Sequence, residues 1–256
     1  MCIVIFAWQV DPQYPLLVAA NRDEFHHRPA EAARWRGDVL CGLDLVAGGT
    51  WLGVSRAGRF ATVTNFREPI IEQQPANRSR GMLPLGFLQG EQTPLAYLQT
   101  IEAEQQEYGG FNLLVSDGEE LLWMNNRGAE PQPVAPGYYA LSNGQLYTDW
   151  PKARRGRALL QQLVEQRVQQ NMGPQATSQR LLDILEDDTL PEDDALPDTG
   201  VGLEMERLVA PIFIQAAAYG TRASSAVMQQ RDGGFHFAEQ RWQAGGAPLA
   251  EPQWFA

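Results

Sequence analysis

Lysine is almost missing from this chain of 256 residues: of its 20 basic residues, only Lys152 is not an arginine. Cysteine is scarce as well, with Cys2 and Cys41 alone. Neither sits in a CxxC or other metal-ligand spacing, which excludes a disulfide-framed scaffold and a zinc ribbon and points to a reducing compartment. Acidic residues number 31 and the net charge is −11, so a polyanion such as nucleic acid is repelled on average. No basic cluster is dense enough to reverse that. Long apolar runs are absent too. Residues 3–8 are apolar, but that run is too short for a signal peptide or a membrane span. The chain therefore reads as soluble and cytoplasmic. Its three histidines, His26, His27 and His236, form no Ser-His-Asp or zinc pattern. Exposed loop histidines are the plain reading of His26-His27; haem or metal ligation is the sharper one. No repeat or low-complexity linker divides the chain, and residues 1–256 read as a single domain.

What is present gathers around the first two dozen residues, MCIVIFAWQVDPQYPLLVAANRDEF. Removal of Met1 would leave Cys2 first, with a thiol beside a free α-amine of ordinary pKa ~7.7–8.0, able to take the thiol proton near neutral pH. The bland alternative is a small buried hydrophobe. Two apolar runs, residues 2–8 and 16–20, read as paired strands in the middle of a sheet, covered on both faces. The second ends in Asn21-Arg22-Asp23-Glu24. Alternation puts Asn21 and Asp23 on one face, and Arg22 and Glu24 on the other, with Asp23 expected to face Cys2. An arginine there suits an anionic substrate group, and a carboxylate suits the α-ammonium.

Further along, residues 25–50 read as irregular, with a short strand near 39–41. A hairpin is expected at 50–55 and 59–65, and a polar loop at 66–80. Helices are expected at 80–89, from an N-cap at Ser79, and at 93–108, from Thr93-Pro94. Strands follow at 112–116, 121–125 and 138–142, and helices at 151–169, 175–186 and 201–209. The stretch 186–200 is acidic and reads as a solvated loop, with a metal site as the sharper alternative. Strands return at 212–219, 223–230 and 234–242. This order favours an α+β domain with mostly antiparallel sheets and helices outside. The glycine-rich run around Trp51 leaves room for a ligand or for a neighbouring strand. Asn65 and Asn143 each end a strand, where an amide can donate to an oxyanion or mark a turn. Arg222 lies in YGTRASS, where it reaches either a ligand anion or the surface.

The blocks MCIVIF, AANRDEFHHRP, AGGTWLGVSRAGRFATVTNFRE, LSNGQLYTDWPKARRG and YGTRASSAV resemble the NRDE family, also called the transport and Golgi organisation family. They run in order from residue 1 to about 228. That family is similar to N-terminal-nucleophile hydrolases of the choloylglycine hydrolase type. The resemblance implies a four-layer αββα sandwich and a cysteine hydrolase acting on an amide or thioester of a small amphipathic acid. It implies catalytic roles for Cys2, Asp23 and Asn143, with Arg222 a candidate for a late catalytic arginine; from the residue patterns above, Asn21, Arg22, Trp51 and Asn65 are expected to bind the substrate. One position departs: where those hydrolases carry an arginine shortly before the Asp, this chain has Ala20. The alternative is a non-catalytic carrier of haem or of an acyl-CoA-like lipid in the same cleft. No cofactor is required and no metal is expected; haem is a candidate ligand, and the expected partner is a small amphipathic anion.

Overall fold

The computed structural model describes residues 2–69 and 76–256. Its centre is β1 (Cys2–Trp8), seven buried residues with no polar side chain other than the thiol. A strand apolar on both faces must be covered on both. Val4, Phe6 and Trp8 point into a core between two sheets, while Ile3, Ile5 and Ala7 point into a second core under helices. β1 pairs with β2 (Leu16–Phe25), which is longer than the apolar run LLVAA suggests. The NRDE residues lie inside that strand, and the pairing sets Cys2 opposite Arg22.

The remaining strands are β3 (Ala30–Arg36), β4 (Val39–Asp44), β5 (Leu52–Ser55), β6 (Phe60–Asn65), β7 (Phe111–Ser116), β8 (Leu121–Asn125), β9 (Ala129–Pro133), β10 (Gly137–Leu141), β11 (Tyr219–Gln229), β12 (Phe235–Arg241) and β13 (Gln253–Phe255). They form two antiparallel sheets, ordered β10-β1-β2-β11-β12-β13 and β3-β4-β5-β6-β7-β8-β9. The helices are α1 (Met82–Gln89), α2 (Pro94–Ala103), α3 (Pro151–Gln170), α4 (Pro174–Ile184) and α5 (Leu203–Leu208). Leu83 and Phe87 of α1 and Leu98 and Ile101 of α2 pack on the second sheet. Leu160 and Val164 of α3 and Leu181 and Leu182 of α4 pack on the first. The result is an α+β, four-layer αββα sandwich with three apolar cores between its layers.

Several elements differ from the sequence expectations. β3 was read as irregular; it is an edge strand with only Ala33 fully buried, so it carries no apolar alternation. β9 contains Pro131 and Pro133 and also lies at an edge, where the missing N–H groups cost no ladder bond. Residues 212–219 form no strand ahead of Tyr219: their apolar side chains Ile212, Phe213 and Ile214 are buried from a loop. Ser79 is not the cap of α1; Gly81 holds that position, and Thr93 does cap α2 by accepting from the Ala96 N–H. Residues 70–75 of the loop expected at 66–80 lie outside the described residues. Among the described residues no helix is long and apolar enough to cross a membrane.

Candidate active site

A cleft of about 920 Å³ is lined by strands of both sheets at the Cys2 end of β1. Cys2 lies in its wall, 8% exposed. The Ser142 hydroxyl donates to the Cys2 carbonyl at 3.0 Å, tying the strand end to the Leu141-Ser142-Asn143 segment. Burial pushes the Cys2 thiol up from its ordinary range, and the Asp23 carboxylate adds to the rise; the N-terminal ammonium is the largest influence opposing it, followed by the Asp23 backbone N–H and Arg22. Cys2 and Cys41 are both free thiols. Cys41 is fully buried under α1 and is no part of the lining.

The NRDE residues divide by face. Val18 and Ala20 of β2 point between the sheets, so Arg22 and Glu24 do as well. Asn21 and Asp23 therefore leave the strand toward the helices. This corrects the expectation for Asn21 as a substrate contact. Its amide nitrogen donates to the Leu185 and Ile212 carbonyls, both at 2.9 Å, and its oxygen accepts from Ser224. Asn21 pins the helix layer to the sheet, fully buried and away from the cleft. Asp23 reaches the Cys2 centre from the helix side rather than across the cleft face. Its Oδ1 accepts from the Thr221 hydroxyl at 2.8 Å. Burial raises its carboxyl to about 6, against the opposing pull of the N-terminal ammonium first, then of Lys152, the Thr221 hydrogen bond and Arg22.

Arg22 is 8% exposed, and its Nη2 donates to Asp44 at 2.9 Å. Its buried Nη1 has no hydrogen-bond partner among the described residues. A guanidinium edge so placed in a cleft wall suits a carboxylate or phosphate oxygen. Arg222 also lines the cleft, but its Nη1 donates to the carbonyls of Phe25, His26 and Arg28, so it clamps the turn after β2. Two groups escaped the sequence reading. Arg80 lies close enough to Cys2 to feel a thiolate, although burial lowers its own pKa. Glu239, 3% exposed in the lining, accepts from the Ala33 N–H, and burial raises its carboxyl. Arg80 stands in the arginine-rich NRSRG run; Glu239 has no local signal.

Asn65, Asn143 and Trp51 all line the cleft. Asn143 is fully buried, and its Nδ2 gives one proton to the Asn65 carbonyl at 2.8 Å, leaving the other for a ligand. Its Oδ1 lies 3.2 Å from the Ser142 hydroxyl, whose single proton is shared between this oxygen and the nearer Cys2 carbonyl. Trp51 packs its ring against the inter-sheet core. None of the three histidines is in the described lining, where Cys2 and Met205 are the side chains of haem-ligating types. Among the described residues no cluster of three or more His, Cys, Asp or Glu is placed to hold a metal ion. In the acidic stretch, Asp193 is paired with Arg207 instead.

A family model described as "Transport and Golgi organisation 2" matches residues 1–244. The Transport and Golgi organization protein 2 homolog of Bos taurus is 37% identical over 263 residues, covering 94% of this chain and 92% of the relative. The human homolog is 36% identical over the same shares, and the Drosophila melanogaster protein 25%. Among solved structures, the Caenorhabditis elegans ortholog of N-acylethanolamine-hydrolyzing acid amidase gives a TM-score of 0.48 at 10% identity, covering 90% of this chain and 93% of its own. A mutant conjugated bile acid hydrolase from Clostridium perfringens gives 0.47 at 8% identity, covering 100% and 97%.

Proposed function

The chain belongs to the Transport and Golgi organisation 2 family, and on that premise we propose that it is a cytoplasmic, single-domain cysteine hydrolase of the N-terminal-nucleophile kind. Its substrate is an amide or thioester of a small amphipathic acid. The observation that carries the proposal is the convergence at one strand end of Cys2, the buried Asp23 carboxylate and the Asn143 amide. With Met1 removed, the Cys2 amine takes the thiol proton and the sulfur bonds to the acyl carbon. The negative charge that forms on the acyl oxygen is met by the free Asn143 N–H. Collapse of that intermediate breaks the bond to the leaving amine or thiol, which receives the proton. Water then attacks the thioester, giving its proton to the same amine, and frees the acid and Cys2. Asp23 holds the amine. The unsatisfied Arg22 Nη1 receives the substrate's anionic group, and Trp51 supports its apolar part.

Incubation with an acyl thioester should leave the acyl mass on the Cys2 peptide and on no peptide of a Cys2→Ala variant. No acyl adduct and no released acid would reject the hydrolase. A second reading, carriage without turnover, is favoured by the arginines of the lining, Arg22, Arg28, Arg67, Arg80, Arg222 and Arg241 among them. In its haem version the cleft offers Cys2 and Met205 as ligands, so a Soret band that is the same in the Cys2→Ala and Met205→Ala variants would reject that version.

A further inference from the structure

β7 carries an amide where its pattern calls for an apolar side chain. Leu114 of that strand points into the core between the sheets, so Asn112, two residues earlier, does too, and it is fully buried. A buried amide needs partners for its oxygen and for both of its N–H protons. The Trp123 indole N–H, which can only donate, lies 3.2 Å from Asn112 Oδ1 and so fixes which end of the amide faces it. The nitrogen end donates to the Gly144 carbonyl at 2.9 Å and to the Thr64 hydroxyl at 3.2 Å. Thr64 in turn gives its single proton to the Ser142 carbonyl, 2.6 Å away.

These bonds end on the two residues that flank Asn143. The Asn143 carbonyl itself accepts from the Arg67 N–H at 2.7 Å. Three successive carbonyls, of Ser142, Asn143 and Gly144, are thus held by Thr64 of β6, by Arg67 just after it and by Asn112 of β7. Residues 142–144 follow β10 of the first sheet, while β6 and β7 belong to the second, so the segment is tied across from one sheet to the other. Asn143 lines the cleft; Asn112, Thr64 and Ser142 are not in its described lining. They act on the site through the segment that carries Asn143. A donor to an oxyanion is most effective when it stands in place before the charge forms.

We propose that Asn112 is a positioning residue for the oxyanion site, its amide gripping the segment on both sides of Asn143 and so fixing where the Asn143 side-chain N–H points. This rests on the reading of Asn143 as the donor to the acyl oxygen. Hydrolysis of the decanoyl thioester of mercaptopropionate by the full chain tests it. Asn112→Asp keeps an oxygen for Trp123 and loses both N–H groups; it should lower kcat by about tenfold or more with KM within about twofold of wild type. Thr64→Val, which buries no charge and removes one arm alone, should act in the same direction, and Thr64→Ser should restore most of kcat. In an Asn143→Ala background, Thr64→Val should cost nothing further. An unchanged kcat in either single variant, or an undiminished loss in that background, would overturn the inference. A wild type that releases no acid removes the hydrolase reading instead. Side-chain amide NMR on isotope-labelled asparagine then decides the positioning. The Asn143 signals, identified by their loss in Asn143→Asp, should shift in Thr64→Val and return in Thr64→Ser; unmoved signals would overturn it.

Discussion

Asp23 shows how a residue can be costly to the fold and useful to the site. Its folded pKa of about 6 lies above an ordinary carboxyl near 3.8. The native state therefore holds the extra proton between those values, and stability falls as pH rises from about 4 to 6, then levels off. Above that window the ionised, buried carboxylate costs roughly 3 kcal/mol. Asp23→Asn should therefore resist urea better than wild type near neutral pH and match it near pH 3; equal midpoints at both would contradict this. Lys152 runs the other way: its folded pKa is lowered from 10.5 to about 8, so its penalty is present below 8 and fades as pH rises toward 10.5. Arg22 is tested by binding. Replacing it with Met should weaken a fatty-acyl carboxylate by about tenfold, or ~1.4 kcal/mol, while Arg222→Met should act mainly on the turn after β2. Isothermal titration of both variants checks this. Cys2, Arg22 and Asp23 all line the cleft, and the polar run NRDE that interrupts an apolar strand marks the last two in the sequence. Asn21 was misassigned because alternation alone does not reveal the Leu185 and Ile212 carbonyls above it.

At the scale of elements, the site depends on how closely α3 and the β4–β5 connection approach the sheets. Gly156→Ala inserts a methyl against Ile5, which is fully buried and cannot swing away into solvent. The expected loss is about 1–3 kcal/mol by overpacking. Thermal unfolding and Cys2 labelling should fall together in that variant; a change in stability alone would separate α3 docking from the site. Gly49 is held more tightly still, with φ +78° and a Cβ that would meet the Gly81 carbonyl group at 2.4 Å. The apolar hairpins and the capped helix α2 were readable because local pattern and final burial agree. β3 and β9 were not, since each is an edge strand whose pairing is decided by its neighbour rather than by its own side chains.

For the molecule as a whole, the net charge is −11, while the described lining of the cleft sets seven arginines beside six carboxylates. That net charge works against the approach of polyanions. The αββα layering was accessible from the order of strands and helices together with the family resemblance. The cleft was not, because Cys2, Asn65, Asn143 and Glu239 come from segments far apart in the chain. What joins them is the position of Cys2 at the start of β1, so the central claim rests on the state of that residue. The most direct measurement is the mass of the N-terminal peptide after brief exposure to iodoacetamide near neutral pH. The expected result is a peptide beginning at Cys2 with one adduct on its thiol and Cys41 unmodified. A peptide that retains Met1, or a Cys2 left unmodified, would contradict it.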